Sequence, residues 1–180
     1  MGCGAGADAD LLRRLGGTEL HGIEPVAEAA EEARRRYDDV FNGSVEDWSW
    51  DGKPYDLIVF ADVLEHLVDP YTLLRESRAW LSDTGRILVS IPNIRHLSVL
   101  WGLVIGGDWR YGQHGIMDGT HLRFFTSRSF DRALHEAGYE PLASHRWGGM
   151  RLTRMLAEVA PPVGEFLLSL IFVLARPARP

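Results

Sequence analysis

The chain has 180 residues, of which 46% are hydrophobic and 24% charged, and its formal net charge is −6. This composition excludes a disordered chain, and the absence of any Lys/Arg-rich run argues against a nucleic-acid partner. Its single cysteine, Cys3, excludes an internal disulfide, so we expect a cytoplasmic protein. We also expect a single domain over residues 1–180 with no membrane-spanning segment.

The chain opens on a glycine-rich loop. Glycine occupies every second position at Gly2, Gly4 and Gly6. A helix is predicted to follow, and its first turn begins with the acidic residue Asp8. In nucleotide-binding α/β units such a loop joins a strand to a helix, because glycine permits positive φ and close approach of a ligand to the backbone. The spacing alone fits a cofactor loop and a plain glycine turn equally well.

The next segments alternate predicted strands and helices. Strands are predicted at 19–23, 40–41, 55–61 and 86–91, and helices at 26–37 and from Asp69-Pro70 to Leu81. The run Leu57-Ile58-Val59-Phe60 is apolar at every position, as in a central strand buried on both faces. The alternation predicts an α/β fold with a doubly wound, mostly parallel sheet.

Residues 95–120 interrupt this alternation. They are apolar and glycine-punctuated without a clear period, and they contain Trp101, Trp109 and Tyr111. A long irregular segment in a compact domain is typical of a lid or binding loop, and the alternative is a surface excursion. We expect a lid that covers an apolar or sugar-like substrate.

The end of the chain returns to regular structure. A helix is predicted from Thr126 to Gly138, and strands at 139–147 and 166–175 are expected to pair antiparallel at one edge of the sheet. A helix and the Pro161-Pro162-Val163-Gly164 segment are predicted to join these strands.

Two carboxylates follow predicted strands at the sheet edge where ligands gather in open α/β folds. Glu24 lies about 20 residues beyond the glycine loop, where a carboxylate accepts ribose hydroxyls; the alternative is an acid at a helix N-terminus. Asp47 follows the third predicted strand and is a candidate partner for an exocyclic amine, or a turn aspartate.

The densest group of reactive side chains follows the fourth predicted strand. Asp62, Glu65 and His66 have the i, i+3, i+4 spacing that places side chains on one helical face. They suit a general base with an orienting carboxylate, which we favour over a divalent cation site and over a structural role. His121 is a second histidine, available for proton transfer, substrate binding or core packing.

The order of these motifs resembles that of class I S-adenosylmethionine-dependent methyltransferases, in a subgroup that modifies glycans, lipids or quinones. The resemblance rests on Gly2-Cys3-Gly4-Ala5-Gly6, Gly22-Ile23-Glu24-Pro25, Gly43-Ser44-Val45-Glu46-Asp47, Asp62-Val63-Leu64-Glu65-His66-Leu67, Leu81-Ser82-Asp83-Thr84-Gly85-Arg86 and His121-Leu122-Arg123-Phe124-Phe125-Thr126. It implies a Rossmann-like sheet with an antiparallel last strand and S-adenosylmethionine as the cofactor.

The resemblance also implies roles for individual residues. The loop would face the methionine part of the cofactor, Glu24 and Pro25 the ribose, and residues 45–47 the adenine, while Ala61 and Asp62 would lie near the sulfonium. The residues implied to hold the cofactor are Gly2, Cys3, Gly4, Gly6, Glu24, Pro25, Val45, Glu46, Asp47, Ala61 and Asp62.

The predicted reaction is methyl transfer to an oxygen, or less readily a nitrogen, of a small or lipid-linked acceptor such as a sugar or quinone. His66 is the first candidate base, with Glu65 or Asp62 as the orienting group and His121 as the second candidate. Some relatives hold a divalent ion at a similar motif, so Mg²⁺ is an alternative that we do not favour, and we assign no metal ligand.

One departure from the family lies at the start of the chain. Family members carry a strand before the glycine loop, and here only Met1 precedes it. We therefore expect a truncated chain or fragment with a central strand missing, or a non-catalytic homologue that acts as a scaffold. A nicotinamide-dependent dehydrogenase would share the loop and Glu24, but it gives no role to Asp62, Glu65 and His66.

Overall fold

The computed structural model describes residues 1–148 and 166–178, which fall into two compact units, Met1–Lys53 and Pro54–Pro180. The helices are α1 Ala9–Arg14, α2 Ala27–Ala33, α3 Pro70–Glu76, α4 Leu97–Val104 and α5 Ser127–Glu136. The strands are β1 His21–Glu24, β2 Asp39–Asn42, β3 Tyr55–Ala61, β4 Leu81–Pro92, β5 Tyr139–Trp147 and β6 Leu170–Pro177. None of the helices in the described part of the chain is long and apolar enough to cross a membrane.

The first unit contains a two-stranded parallel sheet with α1 and α2. β1 and β2 pair in the register Gly22 to Val40. The buried face of α2, Ala30 and Ala33, packs with Val40. A Cβ on Gly22 would lie 2.7 Å from the Cys3 sulfur, so the glycine is what allows Cys3 to pack against β1.

The second unit contains a four-stranded sheet in the order β3-β4-β6-β5. β3 and β4 are parallel, and β6 runs antiparallel to both β4 and β5. The predictions of an antiparallel last strand and of a β5/β6 pair at one edge are confirmed. Within residues 1–148 and 166–178, β1 pairs with β2 alone and β3 with β4 alone.

Helix termini follow the sequence signals closely. Asp69 accepts hydrogen bonds from the backbone N–H groups of Tyr71 and Thr72, and Pro70 occupies the first position of α3. Thr126 and Ser129 form a reciprocal capping box at the start of α5. These caps satisfy N–H groups that have no partner inside the helix, which fixes where each helix begins.

Three predictions about local structure need correction. β3 is buried on one face only, because Ile58 and Phe60 are buried whereas Leu57 is 40% exposed. β4 begins at Leu81, ahead of the strand predicted at 86–91, and its pairing with β3 shifts register between Tyr55 and Leu57. The segment 95–120 is not wholly irregular, since it contains α4. The predicted helix and Pro161-Pro162-Val163-Gly164 lie outside the described residues.

Candidate functional site

The glycine loop has the positive-φ backbone that its sequence predicts. Gly2, Gly4 and Gly6 all have positive φ, at 66°, 50° and 78°. The N–H groups of Gly2 and Cys3 donate to the carbonyl of Ile23 at 2.9 and 3.1 Å, which fastens the loop to the end of β1. A Cβ on Gly4 would meet no atom within 4 Å, so the loop presents bare backbone there, as close approach of a ligand requires.

Glu24 ties this loop to the start of α2. Its carboxylate is buried and accepts from the N–H of Gly4 at 2.9 Å and from the N–H of Val26 at 3.0 Å. Val26 is the N-cap of α2, so the predicted helix-terminus contact is present together with the contact to the loop. Because each carboxylate oxygen has a second lone pair, Glu24 can still accept ribose hydroxyls.

The other cofactor candidates of the first unit differ in exposure. Pro25 is exposed directly after β1. In the turn after β2, Val45 is buried, whereas Glu46 and Asp47 are exposed. The two acids therefore have side chains free to meet a ligand, and Val45 supports the turn.

Sequence reasoning missed Asn42, the last residue of β2. Its side-chain amide donates to the carbonyls of Glu24 and Pro25 at 2.9 and 3.2 Å, and the Gly43 N–H also donates to the Glu24 carbonyl. These bonds hold the ends of β1 and β2 together. The Asn-Gly pair is a turn signal that would have drawn attention to this residue.

Asp62 is exposed and has an unusual backbone, with a φ of 50° directly after the half-buried Ala61. Ser90 holds it there, since the Ser90 hydroxyl donates to Asp62 Oδ1 at 2.8 Å and accepts from the Asp62 N–H at 3.0 Å. A positive φ at a residue other than glycine is typical of functional sites. Sequence reasoning missed Ser90, because only the β3/β4 register places it beside Asp62.

Glu65 and His66 meet His121 rather than Asp62. Each of the three residues offers a ligand atom, and these atoms all lie within 4.8 Å of one another. The two imidazole rings make an edge contact with their centroids 4.7 Å apart. Glu65 and His121 are buried and His66 is exposed. The prediction that Asp62, Glu65 and His66 converge is therefore wrong for Asp62. The prediction assumed a full helical turn after Asp62, whereas the structure has only a short 3₁₀ turn over Leu64–His66.

Backbone hydrogen bonds bring His121 to this turn. The N–H groups of Leu122 and Arg123 both donate to the main-chain carbonyl of Glu65, at 2.7 and 3.0 Å. The segment that follows the predicted lid is thereby fixed against the 3₁₀ turn. We refer to the three side chains as the Glu65–His66–His121 cluster.

The hydrogen bonds of the two rings determine which nitrogen carries the proton. His121 Nδ1 lies 3.0 Å from the Ile116 carbonyl, which can only accept. His66 Nδ1 lies 3.1 Å from the Thr120 hydroxyl, whose own proton goes to Asp118 at 2.6 Å. This bond from Thr120 also holds the pKa of the Asp118 carboxyl below its usual range. In each neutral ring Nδ1 is thus the donor and Nε2 carries the lone pair.

Glu65 is an unusual carboxyl group. It is 1% exposed, and neither oxygen has a hydrogen-bond partner within the described part of the chain. Burial raises the pKa of Glu65 to about 8, and the negative charge of Asp62 acts in the same direction. The group is therefore protonated at neutral pH when no ligand is bound.

Glu65→Gln is expected to remove a pH-dependent loss of stability. The carboxyl ionises near 4.5 in the unfolded chain and near 8 in the folded one. Between these values the folded state binds more protons, so the free energy of unfolding falls as pH rises, by up to about 1.4 kcal/mol per pH unit. Above pH 8 the contribution of Glu65 stays constant.

Urea unfolding across that pH window measures the effect. The stability of Glu65→Gln relative to the wild type should rise with pH, whereas the exposed control Glu76→Gln should show a constant difference. A constant difference for Glu65→Gln as well would show that Glu65 has an ordinary pKa.

Aromatic side chains of the predicted lid segment extend from the cluster. The Phe124 ring lies 6.4 Å from that of His121, 5.3 Å from that of Trp109 and 6.3 Å from that of Tyr111, centroid to centroid. Trp109 and Tyr111 are 40% and 50% exposed. An apolar molecule that meets these rings would lie close to the two histidines.

Residues 1–144 match the family described as "Methyltransferase domain". The chain belongs to this family. A curated relative, the ubiquinone biosynthesis O-methyltransferase of Cereibacter sphaeroides, is 28% identical over 150 residues, which cover 79% of this chain and 59% of the relative. The chain thus spans less than two thirds of the length of that enzyme.

Solved structures agree on the fold. A SAM-dependent methyltransferase from Archaeoglobus fulgidus aligns with a TM-score of 0.70 at 17% identity, covering 97% of this chain and 82% of the other. An S-adenosylmethionine-dependent methyltransferase from Mesorhizobium loti gives 0.68 at 15% identity, with coverage of 97% and 88%. The predicted family and Rossmann-like α/β fold are confirmed, and the dehydrogenase alternative loses its support.

Proposed function

We propose that this methyltransferase-family protein transfers a methyl group from S-adenosylmethionine to a hydroxyl oxygen of an aromatic, quinone-type acceptor. The observation that carries the proposal is the cluster, where the Nε2 lone pairs of His66 and His121 lie beside a buried carboxyl group. The name of the Cereibacter relative supports an oxygen on a quinone precursor over a sugar.

The residues of the first unit fit the cofactor. The bare backbone at Gly4 and the buried carboxylate of Glu24 are the groups expected to hold its methionine and ribose parts. The exposed Glu46 and Asp47 are the candidates for the adenine. When bound, S-adenosylmethionine supplies an electrophilic methyl group on a positively charged sulfur.

The residues of the second unit supply the proton acceptor. His66 is the exposed member of the cluster, and its Nε2 would take the proton of the acceptor hydroxyl when the methyl group is transferred. Thr120 fixes the ring orientation, which keeps that lone pair available. Such a base contributes about 10²–10⁴ in rate, and alignment of the reactants up to about 7–11 kcal/mol.

The exposed rings of Trp109 and Tyr111 favour an apolar or aromatic acceptor. Offset or edge contacts between aromatic rings contribute about 0.5–1.5 kcal/mol beyond the area they bury. An alkyl catechol combines the hydroxyl group, the ring and the apolar tail in one soluble probe.

Two measurements test the proposal. Calorimetric titration with S-adenosylhomocysteine should show binding, and methyl-labelled cofactor should transfer its label to an alkyl catechol faster than to unsubstituted catechol. The corresponding alkyl aniline, a nitrogen acceptor, should receive none.

Each result has a definite meaning. Failure to bind S-adenosylhomocysteine would refute the proposal. Binding with transfer only to the aniline would reassign the acceptor atom to nitrogen. Binding without transfer to any probe would favour the non-catalytic homologue.

A further inference from the structure

The hydrogen bonds of His66 lead to a carboxylate that sequence reasoning did not connect with it. His66 Nδ1 lies 3.1 Å from the Thr120 hydroxyl, and that hydroxyl donates to Asp118 Oδ1 at 2.6 Å. His66 and Thr120 are 54 residues apart in sequence. We propose that Asp118, acting through Thr120, is the positioning group of His66. The inference rests on the proposed function, in which His66 is the base.

The proton positions along this chain of hydrogen bonds follow from what each group can donate. The Asp118 carboxyl is ionised at neutral pH and only accepts, because the hydrogen bonds from Thr120 hold its pKa below the usual range. The Thr120 hydroxyl gives its one proton to Asp118, so toward His66 it can only accept. His66 Nδ1 therefore carries the ring proton, and Nε2 keeps the lone pair that the reaction needs.

The negative charge of Asp118 favours the protonated form of the base. A neutral His66 that takes a proton at Nε2 becomes an imidazolium ion, in which both ring nitrogens donate. Its Nδ1 then donates to a hydroxyl that is bound to a carboxylate, and hydrogen bonds of ionised groups are stronger than those of neutral ones. An interaction that strengthens as the proton moves raises the rate of the reaction rather than only the affinity for a substrate.

Two other carboxyl groups lie nearer to His66 in sequence, and within the described residues the structure connects neither of them to the ring by a hydrogen bond. The Glu65 oxygens have no hydrogen-bond partner there, and burial raises the pKa of Glu65 to about 8, so it is protonated at neutral pH. Asp62 Oδ1 accepts from the Ser90 hydroxyl at 2.8 Å, and Asp62 lies outside the converging set. Asp118 therefore takes the role that spacing assigned to these two residues.

Asp118 lies in a loop that closes on itself. The N–H of Gly112 donates to the Met117 carbonyl at 2.7 Å, and the N–H of Gly119 donates back to the Gly112 carbonyl at 3.1 Å. The Thr120 N–H donates to Asp118 Oδ1 at 2.8 Å, which sets the carboxylate beside the hydroxyl. These bonds place the carboxylate independently of His66, as the positioning of a base requires.

The predicted lid segment, residues 95–120, gains a second role from this arrangement. Tyr111 directly precedes Gly112, so the loop that holds Asp118 begins beside an exposed ring that we expect the acceptor to meet. The segment expected to cover the acceptor then also orients the base.

Heteronuclear NMR of the imidazole rings tests the positioning without any turnover. The His66 signals are identified by their loss in His66→Gln. In the wild type the neutral ring should carry its proton on Nδ1. Thr120→Val removes the hydroxyl at nearly constant shape and should give a mixture of both tautomers. Thr120→Ser, which keeps a hydroxyl, should retain the wild-type tautomer.

Single-turnover transfer of labelled methyl to the alkyl catechol measures the effect on the base. Thr120→Val should lower the rate constant by about 10–100-fold, which is part of the 10²–10⁴-fold that a base contributes. Asp118→Asn keeps an oxygen that accepts from Thr120 but loses the charge. Its rate should fall by about 2–5-fold, as for other exposed charge pairs, and less at high salt. Affinity for S-adenosylhomocysteine should be unchanged in both variants.

Two comparisons separate positioning from damage to the structure. Thr72→Val removes the same kind of hydrogen bond, 2.6 Å long between Thr72 and Asp69 at the start of α3, and should change neither the tautomer nor the rate. In protein that already carries His66→Gln, Thr120→Val should lower the rate no further, because Thr120 acts through His66.

The inference is overturned by a wild-type ring protonated on Nε2, by an unchanged tautomer in Thr120→Val, or by a loss of rate in Thr120→Val that is as large with His66→Gln as without it. A wild-type rate in Asp118→Asn would overturn the role of the Asp118 charge. If the wild type transfers no methyl group while the tautomer responds as expected, the proposed function fails and the positioning of the ring stands.

Discussion

Replacing His66 with glutamine is expected to lower the rate constant for methyl transfer by about 10²–10⁴-fold. Glutamine keeps the approximate size and polarity of the side chain but cannot accept the proton of the acceptor hydroxyl. Affinity for S-adenosylhomocysteine should be unchanged, because His66 is not among the residues that we expect to hold it. The measurement is single-turnover transfer of labelled methyl to the alkyl catechol.

The pH profile separates a base from a structural role. As pH approaches the pKa of a phenol, about 10, the acceptor loses its proton without help, so the defect of His66→Gln should shrink. Misfolding would give a defect that does not depend on pH. The matched control is His135→Gln, which makes the same change at an exposed position of α5 and should retain full activity. A defect of equal size at every pH would remove His66 from the role of base.

Sequence patterns predicted the regular elements well, since the signals for them are local. The Asp69-Pro70 cap and the Thr126 cap each depend on residues within a few positions, and both are present. The exposure of Leu57 could not be predicted, because it depends on what covers each face of β3. Helix α4 was missed because its sequence is apolar all round and therefore has no period to detect.

The candidate site was predicted only in part, because only its local features can be predicted from spacing along the chain. The glycine loop and Glu24 were found from spacing, since a strand and a helix set their separation along the chain. In contrast, His121 joins Glu65 through hydrogen bonds between segments more than 50 residues apart in sequence, which spacing cannot report. Ser90 was missed because the β3/β4 register alone places it beside Asp62.

Glu24→Gln is expected to weaken binding of S-adenosylhomocysteine by about 100-fold or more. The carboxylate accepts from the N–H groups of Gly4 and Val26, and an amide offers only one accepting atom for these two donors. One part-buried N–H then loses its hydrogen bond, at a cost of about 0.5–1.5 kcal/mol, and a charge-assisted bond to the ribose, about 1.5–3 kcal/mol, is lost as well. Calorimetry measures the affinity directly.

The contact of Glu24 with the loop and its contact with the ribose contribute separately to this loss of affinity. Two further variants distinguish the two contributions. Glu28→Gln makes the same chemical change at an exposed position of α2 and should bind like the wild type. Gly4→Ala strains the loop at a φ of 50° by about 1–2 kcal/mol but leaves the Glu24 carboxylate intact, so its loss of affinity should be smaller. If Glu24→Gln bound no more weakly than Gly4→Ala, the carboxylate would serve only to hold the loop, and the ribose contact would have to come from elsewhere.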